Sequence, residues 1–263
     1  MTTPSPLVPP RRSWRDYLGA LGRAHRKARV QLDSSMPLLQ HLEELRERLF
    51  KAFGALIVMT LLSFIFAGQL VDFLAAPIGG RAALVSIEIT ENIAIFMRVS
   101  LLSGVVLAMP VIVYQAIRFI LPGLTERERK WLLLAVPFAS LLFVGGAAFA
   151  WAVMIPTAVP FLINFMGITT QVRPKNYFEF VTSLMFWIGV SFETPLVIMF
   201  MARLGFVTAG QLARGWRYAI VAIAVIAAIV TPTVDPVNMS LVMLPLMGLY
   251  VISIGLAALV RRQ

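Results

Sequence analysis

The chain has 263 residues, of which 59% are hydrophobic and only 14% are charged, with a formal net charge of +10. Charged residues make up about a quarter of an ordinary soluble domain, so this composition argues against one and indicates burial in lipid. The chain has no cysteine, which excludes disulfides, thiol catalysis and Cys-ligated metal sites. Basic loops on one side of a membrane explain the charge better than nucleic-acid binding does.

The N-terminal segment, residues 1–35, is polar and basic and begins with a proline-rich run. Such a composition favours a disordered tail or a short helix at the membrane interface around 14–30. Ser35 and Pro37 then predict the start of an amphipathic helix over residues 36–49. The pair Glu44 and Arg48 has the i,i+4 spacing that stabilises such a helix.

Six apolar stretches follow this segment. A helix needs about 20 residues to cross roughly 30 Å of hydrocarbon, so the pattern predicts an all-α integral membrane protein with six transmembrane helices. Prolines inside these stretches predict kinked helices. The stretches are 50–71, 94–121, 131–156, 178–203, 217–231 and 237–260, and the prolines are Pro110, Pro137, Pro195 and Pro245.

The fifth stretch is shorter than a bilayer. Its apolar part, Tyr218–Val230, would extend only roughly 20 Å as a helix. We therefore expect the membrane to thin locally, or polar residues to reach inward. The turn 231–236 joins the fifth stretch to the sixth with almost no loop, and no internal repeat is evident.

The basic residues predict the orientation of the chain. With six spans both termini share a side, and all but four of the 23 Lys and Arg residues fall on it or next to it. The positive-inside rule places that side, with residues 1–35 and 261–263, in the cytoplasm. The four exceptions are Arg81, Arg173 and Lys175 on the opposite side and Arg98 just inside its span.

Two acids on the predicted cytoplasmic side have open interpretations. Thr125 and Glu128 form a capping box for the third span, after Pro122 has stopped the second. Capping alone can explain Glu128, but its carboxylate could equally be offered to a basic partner. Glu44 can be a solvated residue paired to Arg48, or a second carboxylate that takes a guanidinium in a bidentate pair.

Glu193 lies inside the fourth apolar stretch. A charged carboxylate facing lipid there would cost at least about 2.5 kcal/mol, so it must face a wet cavity, find a partner or stay protonated. The alternatives are a functional groove residue and a structural hydrogen bond to a neighbouring helix. Gly189, one turn earlier, could admit a partner helix closely.

The remaining polar residues predict structural roles. Asp235 beside Pro236 fits an Asx turn, and Met239 at the start of the sixth span could contact another helix. Glu88 and Glu91 are expected to be solvated in the first outward loop. No catalytic set, P-loop or metal spacing is present, so the sequence predicts neither an enzyme nor a cofactor.

Four motifs in this order resemble the TatC family, the multispanning receptor subunit of the twin-arginine protein translocase. The resemblance covers residues 36–260. Its motifs are His41-Leu-Glu-Glu-Leu-Arg46, Phe119 to Pro122 with Glu128 and Arg129, Ser191-Phe-Glu-Thr-Pro195, and Thr231-Pro-Thr-Val-Asp-Pro236.

This resemblance implies a curved, glove-like bundle with short fifth and sixth helices. It implies that Glu44, Arg46, Phe119 and Glu128 belong to a cytoplasmic site for twin-arginine signal peptides. It further implies an intramembrane groove at Glu193 that contacts TatA- and TatB-type single-span partners, with folded proteins exported by the proton-motive force. Many members carry glutamine at the position aligned with Met239, which puts a polar partner contact there in doubt.

Two other classes compete with this interpretation. A proton-coupled small-solute transporter could use Glu193 as its coupling acid, but would need further intramembrane polar groups or a repeat. An insertase or structural scaffold is the third class, although insertases with a hydrophilic groove usually place a basic residue there.

Overall fold

The computed structural model describes residues 14–120, 126–164, 171–231 and 235–260, with the backbone alone for 14–38 and 126–134. This part of the chain contains helices and no strand, which confirms the predicted all-α class. The helices are α1 (Trp14–Ala75), α2 (Glu91–Ile120), α3 (Glu126–Phe149), α4 (Ile155–Ile163), α5 (Pro174–Phe192), α6 (Thr194–Arg203), α7 (Ala209–Arg214), α8 (Trp216–Val230) and α9 (Pro236–Val260).

The chain divides into two compact units, a first that ends at Leu49 and a second that begins at Phe50. The helix start predicted at Ser35 and Pro37 is wrong, because α1 is already helical from Trp14. A proline removes one backbone hydrogen bond, and a helix that continues on both sides can absorb that loss. Within the second unit, short 3-10 segments follow α1 at Ala76–Ile78 and Arg81–Ala83.

The described residues of all six predicted apolar stretches are helical, apart from Glu193 and Thr231. Five segments of the described chain are long and apolar enough to cross a membrane, and α8 is a shorter apolar helix of 15 residues. The sixth helix, α9, has 25 residues and is therefore not short, contrary to the expectation. Asp235 caps its first turn and Pro245 does not end it, so the helix extends over the whole apolar run.

The internal prolines have different effects. Helices α2, α3 and α9 continue through Pro110, Pro137 and Pro245. Before Pro195, however, the fourth span is interrupted at Glu193, which separates α5 from α6. The third span contains a π-helical turn, Ala150–Met154, between α3 and α4.

Direct contacts define two ends of the second unit. At the first, the Tyr177 hydroxyl on α5 donates to the carbonyl of Leu74 at the end of α1 (2.8 Å), and Leu84 forms an isolated parallel bridge with Val172. We call this the Glu91 end, since α2 begins there. The opposite end, which we call the Trp216 end, contains the end of α6, all of α7 and the start of α8.

The core lies between the helices of the second unit. Its main cluster joins the end of α1 to α2, α4, α5, α8 and α9, with Phe178 and Ile188 on α5 almost fully buried. A second, smaller cluster packs α2 against α3 around Phe143. Large hydrophobic side chains also remain exposed along the helices, for example Ile65 and Leu244. Lipid rather than water is the solvent that suits such a surface.

Candidate functional site

The helix interruption at Glu193 places this residue at the junction of α5 and α6, although its backbone angles remain in the right-handed helical region. Its amide donates to the carbonyl of Val190 (3.1 Å), and its own carbonyl accepts from the amide of Val197 (3.0 Å). Pro195 lies in the first turn of α6, and it has no N–H to donate to the carbonyl of Ser191, four residues earlier, as a continuous helix would require. The chain is therefore helical before Glu193, in α5, and after it, in α6, and the side chain of Glu193 extends from the residue between them.

The carboxylate of Glu193 is half-buried and incompletely paired. Its Oε1 atom is shielded from solvent and has no hydrogen-bond partner among the described residues. A buried acceptor without a donor costs free energy that an incoming donor can recover. The described chain therefore shows no hydrogen bond from a neighbouring helix to this oxygen.

A close crossing of α3 and α5 lies one turn before Glu193. A Cβ atom added to Gly146 would sit 2.9 Å from the Cα of Gly189, and one added to Gly189 would sit 2.9 Å from a ring carbon of Phe143. Only glycine permits such an approach. The helix that Gly189 admits is therefore α3 of the same chain, and this contact fixes the end of α5 that carries Glu193.

The first turn of α9 is capped by Asp235, while the preceding residues 232–234 of the predicted turn lie outside the described part of the chain. The Oδ1 atom of Asp235 accepts from the backbone amide of Asn238 and its Oδ2 from the side-chain amide of Asn238, both at 2.8 Å. This is the geometry of a helix N-cap. The next residue, Met239, is half-buried and packs against the main core cluster.

In the first unit, Glu44 already has a partner. Its Oε1 lies 3.2 Å from Nη2 of Arg48, and both side chains are largely buried. Arg46 lies 3.6 Å from Glu43 in a pair that is mostly exposed. A guanidinium that binds Glu44 must therefore share its carboxylate with Arg48 or displace that arginine.

The other predicted peptide-site residues are only partly described. Phe119 lies half-buried in the last turn of α2. Glu128 belongs to the first turn of α3, but its side chain and the whole of Pro122 lie outside the described residues. The pairing of Glu44 with Glu128 in one site stays a prediction.

Sequence reasoning missed an ion pair between two spans. Arg98 on α2 lies 3.0 Å from Glu179 on α5, and its Nε donates to the Thr182 hydroxyl (3.1 Å). The i,i+3 spacing of Glu179 and Thr182 on one face was the available signal. A charge inside an apolar helix is expected to find a partner of opposite sign.

Glu91 was expected to be solvated in a loop, and this is wrong. It begins α2, is 1% exposed, and accepts from Arg173, the Ser86 hydroxyl and the Ile87 amide. Arg173 also donates to Glu88, and its pKa is raised because it donates to both carboxylates. Arg173 lies far from Glu91 in sequence, so no local pattern could predict the pair.

The apolar spans, the lipid-facing surface and the polar groups set between helices define a helical, multispanning membrane protein. Residues 40–245 match the family model described as Sec-independent protein translocase protein (TatC). The chain belongs to this family, whose members are non-enzymatic components of a protein translocase. The small-solute transporter, insertase and scaffold alternatives are therefore not retained.

The matches cover most of the chain. A TatC protein of Deinococcus radiodurans is 36% identical, over 87% of this chain and 88% of that relative. A chloroplastic TATC of Arabidopsis thaliana is 39% identical, over 86% of this chain and 67% of the relative. A crystal structure titled as the twin arginine translocase receptor TatC has 34% identity and a TM-score of 0.74, covering 84% of this chain and 99% of that one.

Proposed function

We propose that this chain is the receptor and core subunit of a twin-arginine translocase. The observation that carries the proposal is the similarity to a solved TatC structure titled as a receptor, which this chain covers over 99% of its length. The function is binding of twin-arginine signal peptides and assembly with single-span partners. Folded proteins then cross the membrane by means of the proton-motive force.

The proposed peptide site consists of Glu44, Arg46, Phe119 and Glu128. Arginine keeps its charge at any physiological pH and presents a planar fork of donors, so two carboxylates can test for two guanidiniums. The ion pair between Glu44 and Arg48 supports this role. An arginine of the peptide can take the place of Arg48, so the carboxylate of Glu44 keeps a guanidinium partner throughout.

The proposed partner surface centres on Glu193, with Met239 as a second contact. The unpartnered Oε1 of Glu193 supports it, because a polar group on a single-span TatA- or TatB-type helix could donate to that oxygen. Met239 would give the partner helix a flexible apolar contact at the position where many family members carry a polar glutamine.

The proposed topology has six spans, with α8 as the fifth and both termini in the cytoplasm of a cell whose inner membrane holds the chain. The distribution of Lys and Arg supports this orientation, since the loop at the Glu91 end between α1 and α2 carries one basic residue, Arg81. Residues 1–35 are proposed to act as a basic cytoplasmic tail, 36–260 as the membrane domain, and 261–263 as the cytoplasmic C-terminus.

Peptide binding to the purified full chain tests the proposal. We expect a signal peptide with Arg-Arg to bind more tightly than the same peptide with Lys-Lys. Glu128→Ala and Glu44→Gln should each weaken binding of the Arg-Arg peptide. For Glu128→Ala, the loss of binding free energy should exceed the loss of helix stability, which is about 1 kcal/mol for a removed cap.

The matched control is Glu47→Gln, which removes a different, exposed carboxylate of the first unit. It should leave peptide affinity unchanged. Equal affinity for the two peptides, or unchanged crosslinking of the Arg-Arg peptide to Glu128→Ala, would refute the proposal.

A further inference from the structure

A basic and aromatic patch lies at the junction of α7 and α8. It consists of Arg214, Trp216, Arg217 and Tyr218, all of them exposed, with Trp216 at 51% and Tyr218 at 82%. We call these four residues the α8 patch. Large exposed aromatics beside arginines are unusual on a surface that faces only water or only hydrocarbon.

The arginines of the α8 patch lack an anionic partner within the described chain. No described ion pair uses Arg214 or Arg217, and the guanidinium of Arg217 lies over the Trp216 ring, 5.7 Å from its centroid. The sequence has no Asp or Glu between Glu193 and Asp235. Two cations are thus presented without local compensation.

The α8 patch is held on a firm support. Thr208 and Gln211 form a capping box at the start of α7, and the Tyr250 hydroxyl on α9 donates to the Leu212 carbonyl at 2.6 Å. The Tyr250 bond links α7 to α9, and Arg214 and Arg217 extend from helices α7 and α8 rather than from a free loop. A preorganised cation binds an anion at a smaller entropic cost than one on a free loop.

The position of the α8 patch along α8 indicates what it meets. The helix is apolar after Tyr218, and at its other end Val230 and Thr231 are buried in the protein. The patch therefore occupies the level at which an apolar helix leaves hydrocarbon. Tryptophan and tyrosine concentrate at that level, and arginine reaches outward to lipid phosphates from it.

We propose that the α8 patch binds the headgroup phosphate of an anionic phospholipid in the leaflet at the Trp216 end. Arg214 and Arg217 donate to the phosphate oxygens, while Trp216 and Tyr218 lie against the glycerol and upper acyl region. The binding holds the start of α8 at headgroup level.

A consequence follows for the short helix. Its 15 residues span about 22 Å, less than a hydrocarbon core of roughly 30 Å. Because the lipid fixes the start of α8 at one headgroup level, the end of the helix beside Thr231 does not reach the opposite headgroup level. The membrane is then thinned in the leaflet opposite the α8 patch. This inference rests on the membrane location of the chain and is independent of signal-peptide binding.

The absence of native cysteine allows a direct test. Ala213 is exposed next to Arg214, so Ala213→Cys can carry a fluorophore in the full chain reconstituted in phosphatidylcholine nanodiscs. Doxyl-labelled phosphatidylglycerol and doxyl-labelled phosphatidylcholine are then added separately at equal mole fractions. We expect the anionic lipid to quench at a lower mole fraction, with a preference of about fivefold for each arginine.

Three variants decide between binding at the α8 patch and attraction to the charge of the whole protein. The double variant Arg214→Gln/Arg217→Gln should reduce the preference for the anionic lipid to near unity. The double variant Arg214→Lys/Arg217→Lys should keep most of this preference, which would show that substitution at these positions does not itself disturb the fluorophore. Lys175→Gln, which removes an exposed cation at the Glu91 end, should leave the preference unchanged. Equal quenching by both lipids in the parent protein, or an undiminished preference in the glutamine variant, overturns the proposal.

Discussion

Arg173 and Glu91 form an ion pair whose carboxylate is buried: Nε of Arg173 lies 3.1 Å from Oε1 of Glu91, and Glu91 is 1% exposed. The pair joins the segment before α5 to the first residue of α2, two regions 82 positions apart. Glu88 adds a second, half-exposed carboxylate to the same guanidinium. The polar groups at the Glu91 end therefore add an ionic link between α2 and the start of α5 to the apolar contacts of the core.

Arg173→Gln should destabilise the protein, because it leaves the buried carboxylate of Glu91 without its cation. We expect a clear fall in the melting temperature of the detergent-solubilised chain, measured by scanning fluorimetry. Glu88→Gln is the matched control, since its side chain is 54% exposed, and it should lower the melting temperature less. A melting temperature of Arg173→Gln equal to that of the unchanged protein would show that the buried pair adds no stability.

Gly146→Ala should destabilise the crossing of α3 and α5. The new methyl group would lie 2.9 Å from both the Cα of Gly189 and the carbonyl of Ile188, and overpacking of this kind costs about 1–3 kcal/mol. The neighbouring Gly145 provides an internal control, because a Cβ there meets no atom within 4 Å. Gly145→Ala should be neutral or slightly stabilising, as alanine is the better helix former. A stable Gly146→Ala protein would contradict the close crossing.

Glu193→Gln should fold normally but change the contact with a partner subunit. The Oε1 atom accepts no hydrogen bond from the described residues, so neutralising the side chain removes no internal bond. We expect unchanged elution on size exclusion, together with altered crosslinking to single-span partners or slower export. Export at the parent rate would mean that the groove needs no charge at this position.

Lengthening α8 should impair export if its mismatch with the bilayer matters. Insertion of one turn, about four leucines, would extend the helix by roughly 6 Å. We expect export of a folded reporter to fall, since the longer helix removes the cause of local thinning. The control replaces four existing residues of α8 by leucine without changing its length. Full export by the longer variant would remove the thinning hypothesis.

The apolar stretches were predicted well because membrane insertion depends on local composition. A run of about 20 apolar residues has few alternatives in lipid other than a helix. This reasoning located α2, α3, α5 and α9 within a few residues. It failed at Pro37, where proline was interpreted as a helix start. The expectation of a short sixth helix came from the family resemblance and not from the apolar pattern, which matches α9 closely.

The polar groups were predicted less evenly. Glu193 was singled out because an acid in an apolar run is costly wherever its partner lies. Glu91 was misjudged because its burial depends on Arg173, and the partner of Arg98 was missed for the same reason. Side-chain partners at sequence separations of more than 80 residues leave no periodic trace in a single chain.

The amino-acid sequence by itself determined that this protein is a bundle of membrane helices, because hydropathy and helical periodicity act within one segment at a time. Its four ordered motifs also determined the family. Only the tertiary structure decided that α3 fills the space beside Gly189, that Arg173 neutralises Glu91, and that one oxygen of Glu193 has no partner in the described chain. Those outcomes depend on which helices become neighbours, and packing of the whole bundle settles that choice.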